Sequence, residues 1–289
     1  SGLAAAIRLK QRAEAAGAEI SVAVLEKSAE IGGHILSGAV IDPKALTELF
    51  PDWQARGAPL ETPVTKDKFL LLGPQGSASL PMPLMPPFMH NHGCYIASLG
   101  NVTRWLGQQA EALGEEIYPG FAAAETLHDD SGQVVGVRIG DMGVAKDGSH
   151  KPGYTAGIDI RAKVTVLAEG ARGHLTKRLL KRFDLTADVD PQGYSIGIKE
   201  LWQVPEGRVS PGKIVHTLGW PADNRTYGGS FLYHLDNNQI ALGYVSGLDY
   251  SDPNYQPWEA FQQWKNHALI KPLLEGGSIL PAGARAIVT

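Results

Sequence analysis

A helix whose inner face is built from small residues, followed directly by an apolar strand that ends in an acid, leaves a chain few ways to fold. Gly2, Ala6, Leu9, Ala13 and Ala16 recur at helical spacing, so one face is small and apolar while Arg8, Gln11, Arg12 and Glu14 lie away from it. Gly17 stands where a helix-ending glycine belongs. The run Ile20–Leu25 is mostly apolar and stops at Glu26, which suits a parallel strand covered on both faces. A small-residue helix face needs a sheet to pack on. This order expects a strand ahead of the helix that the sequence does not contain, so the unit reads as incomplete at its start.

Gly2 and Glu26 together suggest dinucleotide chemistry. In a βαβ nucleotide unit, glycines admit the pyrophosphate to the helix N-terminus, and an acid about 20 positions on binds the ribose hydroxyls. Only the last glycine of such a fingerprint is present, so a packing glycine and a solvated glutamate remain the alternative reading. A second element points the same way. Val164–Ala168 reads as a buried strand running into Glu169-Gly170-Ala171-Arg172-Gly173, a glycine-bracketed turn similar to one that closes on FAD in many flavoproteins. An ordinary turn is the alternative there. With Glu26-Lys27 and Ile31-Gly32-Gly33-His34, these elements favour FAD over a lone nicotinamide cofactor.

Further local signals fill in the organisation. Asp42-Pro43 is a helix start, with the helix ending before Pro51, and a second helix spans Asn101 to Leu113 before Gly114. A hairpin joins 122–128 to 134–140 across Asp129-Asp130-Ser131-Gly132. After about residue 190 the pattern turns to strands near 193–203, 214–220, 228–235 and 239–246, with one helix near 257–267. The fold expected is mixed α/β, a Rossmann-like FAD domain of the two-dinucleotide-binding kind, incomplete, interwoven with a β-rich domain. The linear boundary falls between 1–190 and 191–289.

From Phe69 to Met89 no residue is charged, yet Pro74, Pro81, Pro83, Pro86 and Pro87 interrupt the run. Prolines at that density exclude a regular spanning helix. Two readings stay open on the residues alone. One is a loop that dips into a membrane leaflet with Lys66 and Lys68 at the headgroups; the other is a polyproline-like stretch packed on the protein's own core.

Composition narrows the remaining classes. Of 289 residues 43% are hydrophobic and 19% charged, which fits a folded protein with a substantial core. The net charge of −4 offers no basic field for nucleic acid. Cys94 is the single cysteine, so the sequence contains neither a disulfide nor a cluster held by four thiolates, and a reducing compartment is expected. His90 and His92 lack further ligands for a metal. Gly228-Gly229-Ser230 is not a nucleophile elbow, and no P-loop, H-E-x-x-H or CxxC occurs.

Several strings resemble one family, electron-transfer flavoprotein:ubiquinone oxidoreductase. They are Leu36-Ser37-Gly38-Ala39 with Asp42-Pro43, Glu48-Leu49-Phe50-Pro51-Asp52-Trp53, Gly57-Ala58-Pro59-Leu60, Asn91-His92-Gly93 and Gln109-Ala110-Glu111-Ala112-Leu113-Gly114. Ala168-Glu169-Gly170, Gly197-Ile198-Lys199-Glu200-Leu201-Trp202, Thr226 through His234 and Gly247-Leu248-Asp249-Tyr250 continue the likeness along the chain. The resemblance implies an enzyme that takes electrons from reduced electron-transfer flavoprotein and reduces ubiquinone. It implies FAD held by Gly2, Glu26, Lys27, Gly32, Gly33, Glu169, Gly170 and Gly173, and a quinone held at the backbone of Gly228 and Gly229. It also implies a membrane surface met by Phe69, Leu70, Leu71, Leu84, Met85 and Phe88, so that 67–93 becomes a membrane-contacting insertion. The implied place is the cytoplasmic face of a bacterial inner membrane, or the mitochondrial inner membrane in a eukaryote. A [4Fe-4S] cluster and a second flavin segment are implied beyond Thr289. A related FAD-dependent polyprenyl reductase or aromatic hydroxylase, and a non-catalytic binding fragment, are the alternatives.

Overall fold

In the computed structural model, which describes residues 1–36 and 38–289, the chain divides into two compact units. One joins 1–34 to 103–190, the other 35–102 to 191–289. The linear reading drew one boundary, at 190; the compact units also exchange at 34/35 and 102/103. Ser37, part of one family-like string, lies outside the described residues. Along the chain run α1 (Gly2–Ala15), β1 (Ala23–Glu26), β2 (Ala39–Ile41), α2 (Lys44–Leu49), β3 (Thr62–Pro63), β4 (Lys66–Leu72) and β5 (Ser77–Leu80). Then come β6 (Tyr95–Ala97), α3 (Leu99–Ala112), β7 (Glu116–Pro119), β8 (Ala123–His128), β9 (Val134–Ile139), β10 (Met142–Val144), β11 (His150–Thr155), β12 (Asp159–Arg161) and α4 (His174–Arg182). The rest comprises β13 (Tyr194–Gln203), β14 (Lys213–Gly219), β15 (Gly228–His234), β16 (Gln239–Gly247), α5 (Pro257–Lys265), α6 (Lys271–Leu274) and β17 (Ser278–Val288).

In the first unit α1 buries Ala6 and Ile7. It stops where Gly17 takes φ +61°, a conformation that costs glycine little. β1 pairs parallel with β7, Ala23 opposite Glu116 and Glu26 opposite Pro119. The expected hairpin is β8–β9. Its turn is held by Asp129, whose Oδ1 accepts from the Ser131 and Gln133 backbone N–H groups at 3.0 and 2.9 Å. The expected buried strand at Val164–Ala168 is absent. Val164 is 76% exposed and Val166 61% exposed. A strand exists through its ladder, and no described residue pairs with this run. Apolar composition alone does not supply a partner.

The second unit is built on a seven-stranded sheet ordered β17-β13-β16-β15-β14-β4-β5, with β14 and β4 parallel and the other pairs antiparallel. Side chains alternate between its faces. Ile198, Leu232, Ile240, Leu242 and Tyr244 cluster on the first face with Ala260, Phe261 and Trp264 of α5. On the second face Leu201, Ile214, Tyr233 and Ala241 cluster with Ile96 of β6, in the small sheet β2-β6-β3.

The charge-free run splits between these settings. Phe69 and Leu70 are sheet residues: Phe69 is buried and stacks on His216, which takes it out of the expected membrane contact, and Leu70 is half-buried against the first core. A side chain already covered by protein has no surface left for lipid. By contrast Leu84 is 80% and Phe88 86% exposed, beside 3-10 turns at Met82–Leu84 and Pro87–Met89. Leu71 is exposed too, and Met85 half-buried. Among the described residues no helix is long and apolar enough to cross a membrane.

Candidate functional site

The nucleotide-type residues all fall in the first unit. Gly2 opens α1, and a Cβ there would lie 3.2 Å from the Ala168 Cβ, so the helix start and the 169–173 turn are neighbours. Glu26 ends β1, and its Oε1 accepts from the Ser28 backbone N–H at 2.7 Å. Lys27 beside it is exposed. The chain then curls back: Gly32 takes φ +77°, and a Cβ on Gly33 would lie 2.5 Å from Ser28 Oγ. Thus Glu26, Gly32 and Gly33 form one local loop around Ser28.

Glu169 turns out to serve α4. Its carboxylate accepts from the backbone N–H of Leu175 at 3.2 Å, and from the backbone N–H and hydroxyl of Thr176, both at 2.8 Å. Burial raises its pKa, but the hydrogen bonds from Thr176 and Leu175, with His174 nearby, hold it below the usual carboxylate range overall. Gly173 is needed for this arrangement, since a Cβ there would press on the Glu169 carboxylate carbon at 2.8 Å. Gly170 bends with φ +78° into open space.

Gly228 and Gly229 open β15 in the second unit. A side chain on Gly228 would run into the Val245 carbonyl, and a Cβ on Gly229 would lie 2.7 Å from the Thr217 carbonyl oxygen. Sheet packing is therefore one reason for these glycines, independent of any ligand. The register places Gly229 on the second face, in a row with Leu71, Leu218, Val245 and Gly197. Leu71 and Leu218 remain exposed, so this rim is apolar and accessible.

One strand step further along, the same face brings together residues the sequence reading did not assign to one site. Phe69, His216, Phe231, Gly243 and Lys199 form the next row. His216 Nε2 lies 2.9 Å from the Tyr233 hydroxyl, and His216 Nδ1 lies 3.9 Å from Asp67 Oδ1. Asp67 Oδ2 accepts from Asn91 Nδ2 at 2.8 Å, while Oδ1 has no hydrogen-bond partner among the described residues. Burial lowers the pKa of His216, opposed by Asp67, and burial raises that of Tyr233. The available signal was alternation: Lys199 and His216 each fall at a position whose neighbours two residues along the strand, Gly197 and Leu201 or Ile214 and Leu218, are uncharged.

Residues 194–287 match the family described as "ETF-QO, ubiquinone-binding". The chain is 53% identical, over 99% of its length, to an electron transfer flavoprotein-ubiquinone oxidoreductase of Pseudomonas aeruginosa, covering 52% of that protein. It is 52% identical to the mitochondrial counterparts of Mus musculus and Homo sapiens, covering 47% of each. The chain thus spans about half the length of the curated relatives it matches. Among solved structures it is similar to a geranylgeranyl bacteriochlorophyll reductase-like protein of Thermoplasma acidophilum, with a TM-score of 0.66 and 15% identity over 99% of this chain and 63% of that one. A flavin-dependent brominase follows with a TM-score of 0.62 and 14% identity, over 100% of this chain and 65% of that one. At such identities the likeness speaks for the fold, which agrees with the mixed α/β expectation.

Proposed function

Starting from a chain that belongs to the electron-transfer flavoprotein–ubiquinone oxidoreductase family, we propose that it forms the flavin- and quinone-handling part of such an enzyme. The observation that carries this is the 53% identity along 99% of the chain, with the ubiquinone-binding match spanning Gly228 and Gly229. In this reading the first unit binds FAD through Gly2, Glu26, Lys27, Gly32, Gly33 and the 169–173 turn. The residues suit that group: the close approach of Gly2 to Ala168 leaves backbone, not side chain, at the helix start. Bound there, FAD would supply the redox chemistry between reduced electron-transfer flavoprotein and quinone.

The second unit takes the quinone ring at the rim of its sheet. Gly228 and Gly229 offer backbone N–H and C=O groups with no side chain in the way, and Leu71 and Leu218 offer apolar surface beside them. Leu84, Met85 and Phe88, with Leu71, form the contact with the bilayer, giving peripheral attachment to a membrane surface. A [4Fe-4S] cluster does not fit these residues. There is one cysteine, and among the described residues no group of three or more candidate ligands could hold a metal. No step is therefore derived through a cluster.

The test uses the full-length protein. Its flavin should be reduced by reduced electron-transfer flavoprotein and reoxidised by a short-chain ubiquinone. Gly229→Ala should slow the quinone step about tenfold or more while leaving flavin content unchanged. Equal loss of flavin and quinone activity would show the glycine to be structural only. Rapid reduction by NADPH would favour the reductase or hydroxylase reading, for which the likeness at about 15% identity gives no support beyond the fold.

A further inference from the structure

Lys199 and Glu200 are consecutive in β13, and the pleat sends them to opposite faces. Glu200 finds an ammonium partner in Lys265 at 2.9 Å. Lys199 finds no carboxylate among the described residues. Its Nζ donates to the Gly38 carbonyl at 3.1 Å and lies 5.4 Å from the centre of the Phe231 ring. An ammonium has three donors, and one protein acceptor engages one of them.

Gly243 is what lets this lysine reach Phe231. It stands between them in the register, and a Cβ there would lie 2.5 Å from Phe231 Cε1. The Phe231 ring therefore leans over β16 from β15, the strand that carries Gly229, and meets the ammonium there. Phe231 and Gly229 are two residues apart on that strand, on the same face and about 7 Å from each other. A half-buried cation without a counter-ion is disfavoured, and burial pushes the Lys199 pKa down. Of the other ionisable groups on this part of the face, His216, Asp67 and Tyr233 engage one another, and Arg285 stands opposite Gly197 in the row of Gly229.

We propose that Lys199 is the cation of an anion-accepting subsite beside Gly229, which holds the negative charge that appears on a quinone oxygen as electrons arrive. This rests on the quinone reading above. Each electron entering the ring leaves negative charge on oxygen until a proton from solvent follows. After two electrons, supplied by reduced electron-transfer flavoprotein, and two protons from solvent, the product is the neutral quinol. Lys199 donates a hydrogen bond throughout and keeps its own proton.

The test compares two probes on the flavin-loaded full-length protein by tryptophan-fluorescence titration. One is 2-hydroxy-1,4-naphthoquinone, an anion at neutral pH; the other is a neutral short-chain ubiquinone. Lys199→Met should weaken the anion about tenfold to a hundredfold and leave the neutral quinone within about twofold, while Lys199→Arg retains most of the anion affinity. Lys199→Gln serves in the same role if the Met variant does not accumulate. Unchanged anion binding in the variant would overturn the subsite. Failure of both probes to bind the wild type would overturn the quinone reading and the subsite with it. A shifted flavin potential with unchanged anion binding would assign the cation to the flavin and overturn the proposal.

Discussion

The two faces of the seven-stranded sheet are drawn from alternate residues of the same strands, yet they solve the problem of buried charge in opposite ways. On the first face Glu200 has a side chain only 1% exposed, and Lys265 meets both of its oxygens at 2.9 Å. Trp202 Nε1 donates to the same carboxylate at 2.7 Å, and the Lys265 ammonium sits 4.9 Å from the centre of the Phe261 ring. Trp264 Nε1 donates to Thr217 Oγ1 at 3.1 Å, so this pair and the Glu200 carboxylate find their partners in α5 or in the sheet itself. On the second face, among the described residues, Lys199 has only a carbonyl and a ring, Asp67 leaves one oxygen unbonded, and glycines stand at 197, 229 and 243. The contrast teaches that stability and ligand chemistry can be separated within one layer. A helix sealing one side frees the other side to keep charges and bare backbone for a guest.

The largest break in that comparison comes from Lys265→Met. It strands the Glu200 carboxylate in the first core, and a broken buried pair costs about 3–5 kcal/mol. Urea denaturation of variant and wild type measures it, and a loss near zero would mean that the first face is not sealed. Next is His234, which by alternation lies on the first face. Its Nδ1 accepts from the Ser210 backbone N–H at 3.2 Å, its Nε2 has no partner among the described residues, and burial with Lys213 nearby lowers its pKa to about 4. The unfolded chain, with an ordinary histidine near 6.5, takes up the proton first as pH falls. The contribution is therefore whole above about pH 6.5, down by roughly 2 kcal/mol at pH 5, and lost further towards pH 4. A His234→Gln variant should show a flatter stability profile over that window. The smallest effect belongs to the second face: Gly243→Ala forces the Phe231 ring to move and should cost about 1–2 kcal/mol, with near-ultraviolet circular dichroism reporting the displaced ring. A larger loss than that of Lys265→Met would invert the comparison.

Much of the local framework was legible because its signals act over a few residues. Gly17 ends α1 where the spacing placed it, Asp42 Oδ1 accepts from the Lys44 N–H at 2.9 Å, and Asp129 closes the β8–β9 turn. The misreadings share a different cause. Val164–Ala168 has strand composition but no partner to make a ladder with. Phe69 and Leu70 belong to a charge-free run, yet the pairing of β4 with β14 decides that they face protein. Glu169 sits in a nucleotide-like turn, and its carboxylate also holds the start of the next helix through the Leu175 and Thr176 N–H groups and the Thr176 hydroxyl, a role the turn's own pattern does not signal.

The candidate quinone site was legible only through resemblance to a family, since a glycine pair carries no chemistry of its own. The sequence by itself determined the alternation of β13 to β16, the helix with its small-residue face, the single cysteine, and the resemblance to a family. Tertiary structure alone decided which alternate residues would be sealed. It set Lys265 against Glu200, 65 positions away, and Gly38 against Lys199, 161 positions away. Alternation says that neighbours point apart; what waits on each side depends on which distant segments the fold brings over the sheet, and no local pattern encodes that.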